Sequence, residues 1–269
     1  MTTHGKVFIV GAGPGDPGLL TLRALELIRD ADCILHDHLI SQRILSFAHR
    51  SCKIIYVGKA DNMHVLPQED INELICESAL KYNKVVRLKG GDPHVFGRGG
   101  EEELCLVEKN IDFEVVPGIS SSISALTYAG IPVTHRGIAS SFAVITGHGA
   151  SGNHDETNWA GYTAIDTLIF LMGVRNRKII AQKLLEVGKE KELPVAFIEK
   201  ATTQKQNVIL TTLIELIEQN IEVKSPAVMV VGNVVNLHKQ LDWFHPLQNF
   251  GIEHIDHEKL YQEKENEKA

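Results

Sequence analysis

The sequence predicts an α/β protein of two domains, the first built on a mostly parallel sheet and the second on a mixed one. Three observations carry that prediction. Short apolar runs alternate with amphipathic segments through the first half of the chain, the pattern of parallel strands with helices on their faces. Two later apolar runs flank Thr202-Thr203-Gln204, as the strands of a hairpin would, and a hairpin mixes strand directions. Three strand ends in the first half run into glycine-rich turns, which lines those turns along one sheet edge.

The elements follow in order. Lys6 to Val10 is a buried strand by its apolar run. Leu19 to Arg29 is a helix by periodicity, with Leu22, Leu25 and Ile28 on one stripe and Ala24 and Leu27 beside it. Cys33 to Leu35 is a second strand ending at Asp37, Ser41 to His49 a short helix, and Lys53 to Val57 a third strand. Pro67 to Lys81 is a helix that starts on proline and carries Glu69 and Asp70 where the macrodipole favours acids. Val85 to Leu88 is a strand, Glu101 to Lys109 a helix, and Phe113 to Val116 the fifth strand. Ser120 to Ala129 is a helix stopped by Gly130 and Pro132.

Past Arg136 the pattern changes. Strands are expected at Phe142 to Thr146, Thr167 to Met172, Pro194 to Glu199, Asn207 to Leu210 and Ala227 to Val231. Helices are expected at Asn176 to Val187 and Thr212 to Gln219, and Gly147 to Asn158 reads as a loop. The expected domains are residues 1–136 and 137–246. Residues 247–269, ending EKLYQEKENEKA, form a charged, solvated tail. No internal repeat is visible.

The 269 residues are 43% hydrophobic and 23% charged, ordinary for a globular chain with a substantial core. The net charge of -7, with no basic tract, argues against nucleic acid as a partner. No apolar stretch approaches the roughly 20 residues of a membrane helix, and the apolar run before Gly11 is too short and glycine-rich for a signal peptide. A cytoplasmic location is expected. Cys33, Cys52, Cys76 and Cys105 form no C-x-x-C pair, which favours free thiols over a metal site. His36 and His38 share a strand face but lack a nearby third ligand, so no metal is expected.

Three motifs carry chemistry. Gly11-Ala12-Gly13-Pro14-Gly15-Asp16-Pro17-Gly18 follows the first strand, and such a turn lets a ligand approach the backbone. It resembles a dinucleotide fingerprint, and Asp37 even stands where a ribose-binding acid would. However, Asp16 replaces the third glycine, and Pro14 and Pro17 delay the helix whose N-terminus would hold a pyrophosphate. The second motif runs from Arg87-Leu88-Lys89-Gly90-Gly91-Asp92-Pro93 to Phe96-Gly97-Arg98-Gly99-Gly100-Glu101-Glu102. An acid cluster capping a helix explains its glutamates; it does not explain why so many glycines and an arginine share one turn. The third motif, Val116-Pro117-Gly118-Ile119-Ser120-Ser121, opens a helix, for which Ser120 is a fair N-cap.

These segments resemble the uroporphyrinogen-III C-methyltransferase family, within the tetrapyrrole methylases, from about Lys6 to His245. The resemblance is carried by V-G-A-G-P-G-D-P-G-L-L-T at 10–21, G-K-A at 58–60 with His64, Pro67 and Gln68, R-L-K-G-G-D-P at 87–93 and F-G-R-G-G-E-E at 96–102. P-G-I at 117–119, G-I-P-V-T-H-R at 130–136, T-G-H at 146–148, M-G at 172–173 and S-P-A at 225–227 with Val231-Gly232 complete it.

The resemblance implies two α/β domains of the tetrapyrrole methylase fold with S-adenosyl-L-methionine in the inter-domain cleft, S-adenosyl-L-homocysteine as its product, no metal, and a homodimer. It implies two methylations of uroporphyrinogen III, giving precorrin-2 by way of precorrin-1 for siroheme, cobalamin or heme d1. By motif, Pro14, Gly90, Gly91, Asp92, Val95, Ser120, Ser121, Met172 and Ala201 would contact the cofactor, with Ala227 a weaker candidate. Asp37 and Lys59 match positions of a proton acceptor and donor, and Arg98, Glu101 and Arg136 match substrate-facing charges. Three departures stand out. His36-Asp37-His38 replaces Tyr-Asp-Arg, Leu171 precedes Met172 where tyrosine is common, and Ser120-Ser121 replaces a threonine-led pair.

The chemistry is consistent with these residues. A reduced pyrrole carbon is already nucleophilic, so no serine or cysteine nucleophile is needed. One base must take a proton after methyl transfer, and Asp37, Glu101 or a substrate carboxylate could do so. Uroporphyrinogen carries eight carboxylates against a net acidic protein, so a local basic set must bind it: Arg87, Lys89, Arg98, His135 and Arg136 lie at or beside the glycine-rich turns. The competing readings are a methylase of a later corrin intermediate, a nicotinamide oxidoreductase, and a cofactor-binding scaffold without catalysis.

Overall fold

A computed structural model describes residues 4–58, 67–148 and 158–245. Their contacts divide them into two compact units, one running to Ala125 and the other starting at Leu126.

The N-terminal unit holds a five-stranded sheet in the order β3-β2-β4-β1-β5: β1 (Lys6–Gly11), β2 (Cys33–His36), β3 (Lys53–Tyr56), β4 (Lys84–Lys89) and β5 (Phe113–Val116). Every pairing in it is parallel. All five C-terminal ends therefore lie on one edge, where such sheets place ligands. The connecting helices are α1 (Leu22–Asp30), α2 (Gln42–Leu45), α3 (Gln68–Lys81) and α4 (Gly99–Glu108), and α5 (Ser121–Tyr128) follows β5. On one face Phe8, Val10, Ile34, Val86 and Leu88 pack with Ala24, Leu27 and Ile28 of α1. On the other, Val7, Ile9, Cys33, Leu35 and Val85 pack with Ile75 and Ala79 of α3 and Leu106 of α4.

Two helices differ from expectation. The prolines do delay the first helix. Pro17–Leu19 form a 3-10 turn, and α1 begins only at Leu22, where the Thr21 hydroxyl caps it by accepting from the Ala24 amide at 3.1 Å. That later start sets a different phase. Ala24, Leu27 and Ile28 are buried, while Leu22 lies 73% exposed, so of the expected Leu22–Leu25–Ile28 stripe Ile28 enters the core and Leu22 does not. The helix expected from Ser41 to His49 is a single turn, α2, after which the chain continues in turns.

The C-terminal unit holds a mixed sheet in the order β6-β7-β10-β8-β9, as the hairpin signal predicts: β6 (Phe142–Thr146), β7 (Thr167–Leu171), β8 (Pro194–Glu199), β9 (Asn207–Thr212) and β10 (Ala227–Val231). Only β6 and β7 run parallel. Helices α6 (Arg177–Glu186) and α7 (Leu213–Glu218) cover one face, where Leu184 and Leu216 meet Phe170, Phe197 and Met229. Thr212 caps α7 in a reciprocal box with Glu215. A 3-10 turn at Asn233–Leu237 and the short α8 (His238–Leu241), neither signalled by periodicity, complete the unit.

The entry to β7 is tied by one carboxylate. Asp166 accepts from the backbone amides of Ser140 and Ser141 at 2.8 and 3.0 Å and from their hydroxyls at 3.1 and 2.9 Å. The Ser140 amide bond, then the Ser141 hydroxyl, hold this carboxyl below the usual aspartate range. A group lowered on folding stabilises above its unfolded pKa, near 4, and loses that contribution as pH falls through the folded value. The wild type is therefore expected to melt above Asp166→Asn at pH 6, with the gap closing below about pH 4. A gap that does not shrink at all as pH falls below about 4 in thermal melts would show that the hydrogen bonds do not depend on the charge.

Among the described residues no helix is long and apolar enough to cross a membrane. The four cysteines are free. Burial pushes Cys33 up to about 11 and Cys76 up to about 12, far from thiolate reactivity at neutral pH.

Candidate active site

The glycine-rich turns meet at the C-terminal edge of the parallel sheet, and backbone crowding explains much of their composition. The Ala12 amide donates to Lys89 O at 2.8 Å, and Gly13 and Gly91 exchange bonds of 3.1 and 2.7 Å. A Cβ on Gly118 would stand 2.2 Å from Gly91 O, and one on Gly11 would stand 2.5 Å from Gly118 N. Three chain segments thus touch backbone to backbone, which only glycine permits. Asp92 fastens the same junction, its carboxylate accepting from the Gly118 amide at 3.1 Å and the His94 amide at 2.8 Å.

Gly91 differs from its neighbours. Its φ is +69°, and a Cβ there would meet only Ser120 Cα and Ser121 N, both at 3.9 Å. A cradle no larger than a methyl group therefore lies between Gly91 and the start of α5. Gly91, Ser120 and Ser121 all belong to the set carried over for the cofactor, and Pro14, Gly90 and Asp92 lie on the same edge. Val95 follows in the loop, its amide 3.4 Å from Asp92 O. The Ser120 hydroxyl is also structural, since it accepts from the Ser122 amide at 3.2 Å as an N-cap.

The three glycines of the Phe96-to-Glu102 turn now divide by role. Cβ atoms on Gly97 and Gly99 would stand 2.5 and 2.8 Å from Pro93 O, whereas Gly100 faces open space. Phe96 and Arg98 both adopt left-handed backbone, with φ of 55° and 59°. Held so at the head of α4, Arg98 donates through Nε and a terminal nitrogen to Glu101 at 2.8 and 2.6 Å. The pair is half exposed. Its hydrogen bond to Arg98 holds the Glu101 carboxyl below the usual range and raises Arg98 in turn.

Arg87 and Lys89 do not belong to a substrate-facing basic set. Alternation on β4 turns both toward α4, where each is 4% exposed. Arg87 Nε and Lys89 Nζ each lie 2.9 Å from Oε1 of the buried Glu102. Sequence reasoning missed this cluster by counting Glu102 among helix-capping acids. The legible signal was the i, i+2 spacing of two cations in an otherwise apolar strand.

Asp37 is half-buried just past β2, where its Oδ1 accepts from the Leu39 amide at 2.9 Å. Its altered neighbours leave that carboxylate alone. The buried His36 ring sits with Nδ1 2.9 Å from Asp37 O and tilts on Tyr56 at 5.5 Å, while His38 is exposed. Lys59 and His64 lie outside the described residues.

The C-terminal unit gathers its own set. Strand directions place the ends of β6, β7 and β8 and the start of β10 on one edge, with Ala227 in register opposite Glu199. Met172, Ala201 and Ala227 stand there. Met172, Lys200 and Thr202 have φ of 59°, 45° and 64°, strained backbone concentrated on that edge. This strain ends β7 at Leu171, one residue before expectation, and leaves Met172 49% exposed. The T-G-H and M-G motifs interlock, since a Cβ on Gly147 would stand 2.2 Å from Gly173 Cα. Arg136 is exposed at a tight turn closed by bonds between His135 and Ala139. Gly130 is architectural, a Cβ there falling 2.3 Å from Leu241 O.

Open glycine-lined strand ends in one unit and a strained, partly apolar edge in the other are features of a ligand-binding α/β protein. The tetrapyrrole (corrin/porphyrin) methylase family matches residues 6–217. The uroporphyrinogen-III C-methyltransferase of Bacillus subtilis (strain 168) is 49% identical over 89% of this chain and 95% of its own. The siroheme synthase of Pseudoalteromonas atlantica is 46% identical over 89% of this chain, which spans 52% of that protein. The crystal structure of the Thermus thermophilus uroporphyrin-III C-methyl transferase complexed with S-adenyl homocysteine superposes with a TM-score of 0.77. It is 40% identical, covering 87% of this chain and 94% of that one. The chain belongs to the tetrapyrrole methylase family.

A methyl group at Gly91 tests the cradle directly. Gly91→Ala is expected to weaken S-adenosylmethionine binding at least about tenfold by filling the space before Ser120, at a backbone cost of about 1 kcal/mol. Isothermal titration reads the first and thermal melting the second. Unchanged binding would place the ligand elsewhere.

Proposed function

We propose that the chain is an S-adenosylmethionine-dependent uroporphyrinogen-III C-methyltransferase that adds two methyl groups to its substrate. Precorrin-1 is the intermediate and precorrin-2 the product, for siroheme, cobalamin or heme d1. The observation that carries this reading is the cradle at Gly91, formed by residues of the matching motifs in a chain 49% identical to a relative of that name.

The residues present fit the cofactor. Gly91, Ser120 and Ser121 offer close backbone approach, and Pro14, Gly90, Asp92 and Val95 border them. Met172, Ala201 and Ala227 supply small or apolar contacts from their own edge. When bound, S-adenosylmethionine supplies an electrophilic methyl group. The chain holds the two reactants in line, a contribution that reaches about 7–11 kcal/mol in ideal intramolecular cases. Of the two side-chain bases considered, Asp37 is the better acceptor. Glu101 is tied by two bonds to Arg98, which lowers its proton affinity. Lys59 would return a proton. The protein is proposed to act as a cytoplasmic homodimer.

Arg98 and Arg136 are the exposed guanidinium groups proposed to meet the substrate carboxylates. Arg98 would exchange Glu101 for a substrate carboxylate, so Arg98→Glu is expected to weaken uroporphyrinogen binding at least about tenfold. Cofactor affinity should stay within about twofold. Equal losses in both titrations would undo this division. The reaction is tested by incubating the protein anaerobically with S-adenosylmethionine and uroporphyrinogen III and weighing the tetrapyrrole. A gain of two methyl groups is expected; no gain with cofactor binding intact would redirect the proposal to a later corrin or to a scaffold without catalysis.

A further inference from the structure

Helices α3 and α4 are tied to each other in register. The Asn72 side-chain amide donates to the Glu101 carbonyl oxygen at 3.4 Å, and one turn further along each helix the sulfurs of Cys76 and Cys105 stand 3.5 Å apart. Lys109, one more turn along α4, reaches back to pair with Glu73 of α3. These ties hold the helices, and with them the two sulfurs, in place. Both thiols are free. Cys76 is buried with Ile75, Ala79 and Leu106, whereas Cys105 packs against that cluster and is only half-buried. A disulfide sets its sulfurs about 2 Å apart, so this pair has to close by only about 1.5 Å, within reach of side-chain rotation. Burial, and then the bond to Cys105, pushes the Cys76 thiol up to about 12, which keeps it protonated at neutral pH. Cys105 is therefore the sulfur that a dissolved oxidant meets first. The Lys109 charge acts on both sulfurs and favours a thiolate at either. The proposed methyl transfer uses neither thiol.

We propose that Cys76 and Cys105 are a disulfide-forming pair, oxidised by a low-molecular-weight disulfide such as oxidised glutathione. Cys105 Sγ, as thiolate, attacks one sulfur of the oxidant and expels the first thiolate, which takes up the proton that Cys105 has lost. Cys76 Sγ then attacks Cys105 Sγ, expels the second thiolate and passes its own proton to it. Two protein thiols are oxidised, and one disulfide is reduced to two thiols. The contact between the sulfurs makes the second step intramolecular, so the mixed disulfide does not persist. The new bond closes residues 76–105 into a ring that contains β4, Gly91 and Arg98, a covalent staple across the segment that carries them.

The test oxidises native full-length protein with oxidised glutathione, alkylates it in denaturant with N-ethylmaleimide and maps its peptides by mass. The peptides of Cys76 and Cys105 should appear joined, at least about tenfold over any other cysteine pairing. Protein oxidised in denaturant should instead scatter its cross-links over all four cysteines. The cross-linked protein is expected to melt about 5–10 °C above the reduced one, a difference that dithiothreitol abolishes. Cys105→Ser should show neither the cross-link nor the shift. Four alkylated cysteines after oxidation, or a glutathione adduct that stays on Cys105, overturns the proposal, as does native pairing no more selective than that in denaturant. A selective cross-link that leaves the melt unmoved overturns the staple.

Discussion

Glu102→Ala is expected to destabilise the protein by about 3–5 kcal/mol, because it leaves Arg87 and Lys89 buried with no carboxylate between them. The cost is mainly that of stranding two desolvated charges, with a smaller term for the side-chain volume lost. Glu102→Gln separates the two, since it keeps the shape and removes the charge. It should lose most of the same stability. Denaturant unfolding of the full chain measures this, followed by probes in each unit because two units need not unfold together. A loss below about 1 kcal/mol for Glu102→Ala would mean that water reaches the cluster and screens it. The position was inconspicuous in sequence, as one glutamate among three at a helix start.

Asp37→Asn is expected to lower methyl transfer by about 100-fold or more, the usual worth of a placed general base. The amide preserves the bond to the Leu39 amide, so cofactor affinity and melting temperature should stay close to wild type. Single-turnover methyl transfer at saturating cofactor isolates the step. Retained turnover would pass the role of base to a substrate carboxylate or to Glu101, which the exchange at Arg98 would release. His36 and His38 do not weaken this expectation. One braces the Asp37 backbone carbonyl and the other is exposed, so neither engages the Asp37 carboxylate oxygens.

The fold was legible wherever one physical signal dominated. Apolar runs marked β1, β4 and β8 most clearly because each is buried on both faces, in the parallel sheet or in the interior of the mixed one. The Thr202 turn announced the antiparallel β8–β9 pair because a hairpin leaves no room for a crossover. Helix phase was less legible. The apolar residues of α1 fit two stripes, and the choice between them was made by Thr21 and the prolines before it. In the site, the motifs located the edge, but only the structure could separate their glycines by role. It also reassigned Arg87 and Lys89, because a strand's charges can face a buried partner contributed by a helix ten or more residues away. The left-handed backbone at Met172, Lys200 and Thr202 carried no sequence signal, since none of these residue types favours it.

The junction of Gly11, Gly91 and Gly118 bears on how such chains are recognised. Two of these glycines are demanded by neighbouring main chain rather than by any reactant, so a descendant that had abandoned methyl transfer would still be obliged to keep them. Possession of the signature thus certifies the scaffold. On the function proposed above, methyl transfer would instead be certified by groups the scaffold could spare: the methyl-sized space at Gly91, the carboxylate of Asp37 and the guanidinium of Arg98.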